Sequence, residues 1–497
     1  MRTGISTPNN SFSPKAIIQL IMIIGLAAFT IAIIQQKLLL AWGIAALPIT
    51  LGIFGYGLLK PHFIYCLYAT YSFSFIAIMR YSHTNQLSAL LDALVFYALI
   101  SIICSAYHHR VTIWHKAVNM LTLSYVIWIG YTLLQFTNPN TDSDGLNFGL
   151  RYWIVGTILL YIMLSVLSDS FRVLKIGLGL ISFFLLICFI KLLIQRYIGF
   201  DGAERYFLYD QGAKSTHILG SGIRYFSFLS DAATFGTFMG MGVFVYSITS
   251  LHASNRTLRL YFLSIALISV FGLLLSGTRG AIVIPLSGLL LYTLLCKNFK
   301  TFFTTILLGA TIFVFFAFTD IGKDNQFIRR ARTAFRPSKD ASMNVRLVNR
   351  ELIAEYISHN PMGAGLANQV PIVSLDDEGN YVQGVIPSDS YFVWIWSQTG
   401  YAGLFIFLGI HCAVLLQCCY NVLFKVKNRQ LQQILAAFTC TVFGVWVSGY
   451  TSYSPGQPPI NFLVPAMIAF VMNGAYIDKQ LCSQKQLEIL KQTNNAI

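Results

Sequence analysis

Residues 273–292, "LLLSGTRGAIVIPLSGLLLY", form one apolar run interrupted by a polar knot in which Arg279 stands between Gly277 and Gly280. An arginine in hydrocarbon costs about 2.5–3.5 kcal/mol on insertion scales. The knot is therefore either a turn that leaves the bilayer between two helices, or a charge held at depth for a purpose. Which of the two holds depends on the rest of the chain.

The composition is that of a membrane protein. Of 497 residues, 56% are hydrophobic and 11% charged, against roughly 25% charged in soluble domains. Apolar runs of about 18–22 residues recur, each long enough to cross a ~30 Å core as a helix. Backbone groups in lipid must be satisfied within the segment, which favours helices. The alternation over about ten residues that marks a barrel strand is absent. The expectation is an all-α polytopic membrane protein of about 12–14 transmembrane helices. The fullest count places spans at 16–35, 38–59, 62–79, 88–106, 117–136, 150–168, 174–195, 233–251, 259–275, 280–296, 301–318, 400–424, 431–449 and 460–477. The first run follows "MRTGISTPNNSFSPK" without a small-residue cleavage site and reads as a retained helix. The nine cysteines fall in apolar runs, at their edges or in the C-terminal tail, and none spaces like a metal site. No metal and no cofactor is expected.

Lys and Arg set the orientation. With the N-terminus inside, Lys60, Arg110, Lys116, Arg172, Lys175, Arg256, Arg259, Lys297, Lys300, Lys425, Lys427 and Arg429 fall in cytoplasmic connections. The alternate connections hold few cations; "GYTSYSPGQPPIN" has none. Both termini are then cytoplasmic. The expected organisation is residues 1–318 as N-terminal helices with an outer segment near 196–232, 319–399 as a large outer loop containing short helices, 400–478 as C-terminal helices, and 479–497 as a cytoplasmic tail. The 276–280 knot becomes an outer turn.

The outer segments carry the chemistry. "IRRARTAFRPSKDASMNVRLVNRELIAEYISHNPMGAG" holds seven cations between residues 329 and 350. Over 344–358 the spacing predicts a helix with Val345, Val348, Leu352 and Tyr356 on one stripe. Arg346 and Arg350, four apart, share a face, and "HNPMGAG" ends the helix. Arginine's planar fork suits an anion with several oxygens. Arg224, in "GSGIRYFSFLSDAATFG", and Arg279 return to the same face, so the group reads as an anion site. The plainer readings are headgroup contacts, ion pairs with Glu351, Glu355 or 376–378, and an Arg224–Asp231 pair. Asp389, in "IPSDSYFVWIWSQTGYAGL", is either a helix cap or a carboxylate that takes a proton from a sugar hydroxyl.

The pieces "RYFSFLSDAATFG", "LLLSGTRGAIVI", "RLVNRELIAEYISHNPMGAG" and "SDSYFVWIWSQTGYAGL", in this order across residues 220–410, resemble the O-antigen ligase and polymerase superfamily of bacterial envelope proteins. The resemblance implies a GT-C-like, metal-independent, inverting glycosyltransferase at the periplasmic face of the inner membrane. The donor it implies is an undecaprenyl-diphosphate-linked glycan, and the acceptor a sugar of the lipid A core (ligase) or a lipid-linked glycan (polymerase). It implies diphosphate binding at Arg224 and Arg279, with Arg346 a further candidate; Arg350 joins them from the face it shares with Arg346, and Arg279 and Asp389 are the expected catalytic residues. Ligases of the better-known type carry a His-Asn pair where this chain has Asp389-Ser390, which leaves Asp389, His359 and His217 as bases to choose among. Protein O-glycosylation is a further alternative. A lipid-linked-glycan transporter is the rival from another class, for which Asp92 and Lys191 are the charges that fall within spans. Nucleic acid is not an expected partner; membrane lipid is.

Overall fold

The computed structural model describes Thr30 and residues 50–84, 87–219, 222–296, 299–322, 324, 328–329, 332, 341–375, 381–388 and 390–494. They fall into two units, Met1–Pro61 with Ile100–Arg110, and His62–Leu99 with Val111–Ile497. In the first, Ser101 Oγ donates to Gly57 O at 2.5 Å. The features below belong to the second. The expected spans 16–35 and 38–59 lie outside the described residues, apart from Thr30 and α1 (Thr50–Leu59).

The helices that follow are α2 (Pro61–Ser82), α3 (Ser88–His109), α4 (Met120–Leu134), α5 (Ser143–Leu167), α6 (Phe171–Tyr197), α7 (Ala232–Leu251), α8 (Arg256–Leu275), α9 (Arg279–Leu295) and α10 (Phe299–Phe318). After them come α11 (Ala341–His359), α12 (Tyr391–Tyr420), α13 (Arg429–Ser448), α14 (Ile460–Met472) and α15 (Gly474–Asn494). Among the described residues, nine helices are long and apolar enough to cross a membrane, or ten if α14 and the start of α15, bent by 56°, make one span. α9 and the apolar part of α10 are shorter. Each span expected from residue 62 to 449 coincides with a helix, and 460–477 crosses the bend between α14 and α15. The protein is an all-α, multi-pass membrane protein.

Local chemistry sets the helix starts. Asn119 caps α4, its Oδ1 accepting from Leu121 N and Thr122 N. Ser170, Asp231, Asn255 and Asn428 cap α6, α7, α8 and α13. Each supplies an oxygen to amides that the first helical turn leaves unbonded.

α7 and α13 form the centre: 83% and 78% of their apolar windows are buried, against 50% or less for the other spans. Lipid gives no hydrophobic drive for helices to associate, so close contact comes from small residues. A Cβ at Gly444 of α13 would stand 2.5 Å from Ile284 O of α9, and one at Gly240 of α7 would stand 3.0 Å from Ala281 O. At one end of the bundle Asp169 pairs with Lys116 (2.7 Å) and His62 (3.2 Å). The opposite end carries α11 and two small antiparallel hairpins, β1 (Ile218–Leu219) with β2 (Gly222–Ile223) and β3 (Val370–Leu375) with β4 (Tyr381–Ile386).

The Asp92 and Lys191 charges are matched. Arg151 donates to Asp92. Lys191 meets Asp201 at 2.7 Å and Glu204 at 2.9 Å, and Gln195 Nε2 donates to the same Glu204. Lys191 belongs to a buried polar knot beneath the 202–230 segment.

Candidate functional site

The polar knot of residues 276–280 is a tight turn between α8 and α9. Gly277 takes φ 58°, a backbone state that favours glycine. Ser276 Oγ donates to Leu273 O (2.7 Å) and accepts from Thr278 N (3.2 Å). Thr278 Oγ1 donates to Ala232 O at the start of α7 (2.7 Å) and accepts from Arg224 Nη2 (3.1 Å). Arg279 is then the first residue of α9. The positive end of a helix dipole is an unfavourable place for a cation without an anion nearby.

Arg224 leaves the β1–β2 hairpin. Its N–H donates to His217 O (2.8 Å), its Nη1 to Thr216 O (3.1 Å), and its buried Nε makes no hydrogen bond. Burial lowers its pKa, nearby Asp231 raises it, and Arg279 and Arg346 lower it further. Arg279 and Arg346, from two other segments, therefore each stand within electrostatic reach of Arg224. Asp231 does not close the loop by pairing with Arg224. Its Oδ1 accepts from Ala233 N (2.6 Å) and Thr234 N (2.8 Å) as the cap of α7, and it acts on Arg224 through space.

Arg350 goes elsewhere. Its Nη2 donates to Tyr450 O (2.8 Å), and the guanidinium lies 4.2 Å from the centre of the Tyr450 ring. Arg332 also leaves the anion group, since it is buried against α10 and donates to Ile321 O at 2.6 Å. The expected stripe of α11 needs correction as well. Leu352 and Tyr356 do pack, with Ile353 and Ile357, against Val370, Ile386 and Trp396. Val345 and Val348 are 59% and 54% exposed, because the β3–β4 hairpin covers the second half of the helix.

The "HNPMGAG" turn is bolted to α12. Gly363 and Gly365 take φ 79° and 91°, and the helix breaks at Gly400 (φ 67°, ψ −169°). Ala364 N donates to Ser397 O (2.8 Å) and Gly365 N to Gln398 O (3.1 Å), and a Cβ at Gly400 would overlap Pro361 O. Asn138 Nδ2 reaches Met362 O (3.2 Å) and Asn140 Nδ2 reaches Asn360 Oδ1 (3.0 Å), which joins the α4–α5 connection to the same joint.

Asp389 lies outside the described residues, as do 376–378. Its neighbour Ser390 caps α12, accepting from Val393 N at 3.3 Å, so capping falls to the serine. His217 is buried. Its Nε2 accepts from Ala232 N (3.3 Å), which leaves Nδ1 as the donor to Ala213 O (2.9 Å), and burial lowers its pKa. It is a neutral strut under Arg224. His359 is exposed at the end of α11, with Nδ1 3.1 Å from Glu355 O.

Two contributors escaped the sequence reading. Residues 449–456 sit among the site segments. Gly449 O and Ser452 O accept from Tyr391 N (3.0 and 3.2 Å), Ser454 bonds Thr237 (2.8 Å), and a Cβ on Gly280 would overlap Thr451 Oγ1. The signal was a connection rich in Tyr, Ser and Gly, noticed earlier for its lack of charge. Arg80 is the other. It donates to Ser227 O (3.0 Å), Leu229 O (2.6 Å) and Ser230 O (3.3 Å), and lies 4.7 Å from the Phe207 and Phe226 ring centres, fixing the turn that leads to Asp231.

Residues 264–408 match the family model described as O-Antigen ligase. No curated protein matches the chain. The matched region holds the 276–280 turn, Arg346, Arg350 and the break at Gly400, and over it the chain is similar to the O-antigen ligase family.

Proposed function

We propose that the protein is an O-antigen ligase-type glycosyltransferase that moves a glycan from undecaprenyl diphosphate to a sugar hydroxyl of the lipid A core. The orientation read from Lys and Arg puts this chemistry at the periplasmic face of the inner membrane, with both termini cytoplasmic. The observation that carries the reading is the convergence of Arg224, Arg279 and Arg346 at one end of the bundle, where two of the cations depress the pKa of the third. A diphosphate relieves that repulsion, and guanidinium forks match its oxygens.

In this reading the arginines neutralise charge as it grows on the departing diphosphate, usually the largest contribution to catalysis in such sites. Arg224 is pre-set by Thr216 and Thr278, so little reorganisation accompanies the step. Asp389 takes the proton of the acceptor hydroxyl, and in-line attack inverts the anomeric carbon. The matched charges at Asp92 and Lys191 weigh against a transport path, where polar groups serve the cargo.

Deleting the gene and separating the envelope glycans on a gel tests the proposal. Loss of a ligase leaves bare core while polymerised glycan accumulates on the carrier lipid. Core capped with a single repeat would instead assign a polymerase, and an unchanged ladder would refute the transferase reading.

A further inference from the structure

A cavity of about 390 Å³ lies between the end of α2 and residues 203–211, within the ~300–1,000 Å³ of small-ligand sites. One wall is a wide turn. Residues 206–210 are π-helical, and Gln211 N donates to Tyr206 O at 3.1 Å. On an α-helix, residues five apart point about 140° away from each other. The i→i+5 bond of the π turn instead brings Tyr206 and Gln211 to one side, and both line the cavity. The facing wall is the end of α2. His83, directly after Ser82, takes φ 52°, the left-handed state in which glycine usually ends a helix. Its ring meets the Tyr206 ring edge-on, with centres 5.1 Å apart. His83, Tyr206 and Gln211 are all exposed, so their polar tips are open to a ligand.

Arg80 also lines the cavity, but its charge is spent within the protein. Nη1 and Nη2 donate to the carbonyls of Ser227, Leu229 and Ser230, and the guanidinium lies over the Phe207 and Phe226 rings. A phosphate would therefore meet no open guanidinium here. A neutral ring bearing hydroxyls would meet an aromatic ring for its apolar face, with an amide and an imidazole for its oxygens. We infer that this cavity is a saccharide subsite, holding an uncharged pyranose ring against Tyr206 with Gln211 and His83 on its hydroxyls. Its part in transfer rests on the transferase reading above. The cavity and the arginine cluster share one segment. Ser230 lines the cavity, with its Oγ 3.0 Å from Thr234 Oγ1, and two residues on, Ala232 O accepts from the hydroxyl of Thr278 that also holds Arg224.

Met79 stands in the cavity wall and serves as the reporter. With the full chain in nanodiscs, its carbon-13 methyl signal, assigned by Met79→Leu, is titrated with three lipid-free probes: core oligosaccharide, repeat-unit oligosaccharide and glycerol phosphate. A saccharide should shift the signal saturably. Tyr206→Ala should weaken that binding about fivefold or more, and Tyr206→Phe, which keeps the ring, less than about twofold. Should Tyr206→Ala fail to fold, Gln211→Ala at the exposed rim carries the same expectation. In transfer assays the variant should raise KM for the substrate bearing that saccharide and keep kcat, the signature of lost uniform binding. A response to core oligosaccharide assigns the subsite to the acceptor, and a response to the repeat unit assigns it to the donor glycan. No shift with either saccharide, a shift with glycerol phosphate alone, or undiminished binding in the variant overturns the inference. A wild-type protein that binds saccharide at Met79 and transfers no glycan overturns the transferase reading and leaves the subsite standing.

Discussion

Arg224 Nη2 donates to Thr278 Oγ1 at 3.1 Å, one residue before Arg279, while the same hydroxyl donates to Ala232 O at 2.7 Å. One threonine thus ties the β1–β2 hairpin, the start of α7 and the turn into α9. Thr278→Val keeps the shape, removes both bonds and takes the hydroxyl acceptor away from Arg224 Nη2, at about 1–3 kcal/mol. Glycan transfer should fall about tenfold or more with a lowered melting temperature, and Thr278→Ser should restore both.

Within the cationic group, the cost of substitution should follow the geometry. Arg279→Ala and Arg346→Ala are each expected to lower kcat by about 10²–10³, the range for a lost charge-stabilising donor. Arg279→Lys should recover only part, since an ammonium lacks the bidentate fork. Steady-state kinetics on folded, purified variants check this, and a fully active Arg279→Ala would remove Arg279 from the site.

Asp389 and Ser390 should separate cleanly. With Ser390 capping α12, Ser390→Ala should cost about 0.5–2 kcal/mol of stability. Asp389→Ala should leave the melting temperature unchanged while abolishing transfer. Full activity in Asp389→Asn would rule out a base role.

Gly400 occupies φ 67°, ψ −169°, a region essentially reserved for glycine. Gly400→Ala adds backbone strain of about 1–3 kcal/mol and a clash with Pro361 O. Lower yield, an earlier melt and protease cleavage within 360–368 are the expected outcomes, from limited proteolysis and mass mapping.

His217 gives a pH dependence of stability. Burial holds its folded pKa below the ordinary value, with Arg224 and Arg80 also disfavouring the imidazolium and Asp231 opposing them. The unfolded chain therefore binds more protons, so stability rises with pH. His217's contribution is complete above the unfolded pKa of about 6.5 and is lost as pH falls from there through the folded value. His217→Gln should flatten that part of the melting temperature profile.

The spans from residue 62 onward, the 276–280 turn and the helix of the long loop were legible in the sequence, because apolar length, glycine placement and helical spacing are local properties. Spacing put Val345 and Val348 on one stripe with Leu352 and Tyr356, yet it carries no information on how far the covering hairpin extends. That hairpin was missed, although "VPIVSLDDEGNYVQGVI" places two β-prone runs around turn residues. Residues 449–456 were passed over because they act through backbone carbonyls and hydroxyls rather than charge. Arg350 shares a helix face with Arg346 and still turns to Tyr450, a partner 100 residues away, which spacing along one helix does not encode.

The joint between the "HNPMGAG" turn and the break in α12 has a consequence for how the loop tolerates change. The end of α11, the helix that carries Arg346, is anchored from downstream by Ala364 and Gly365 on the carbonyls of Ser397 and Gln398. The length of sequence between α10 and α11 then does not set that placement. Doubling such a connection costs only about 0.6 kcal/mol of closure entropy. Insertions there should therefore leave the arginine where it is, whereas one extra residue between His359 and Ala364 would shift it out of register with the turn below.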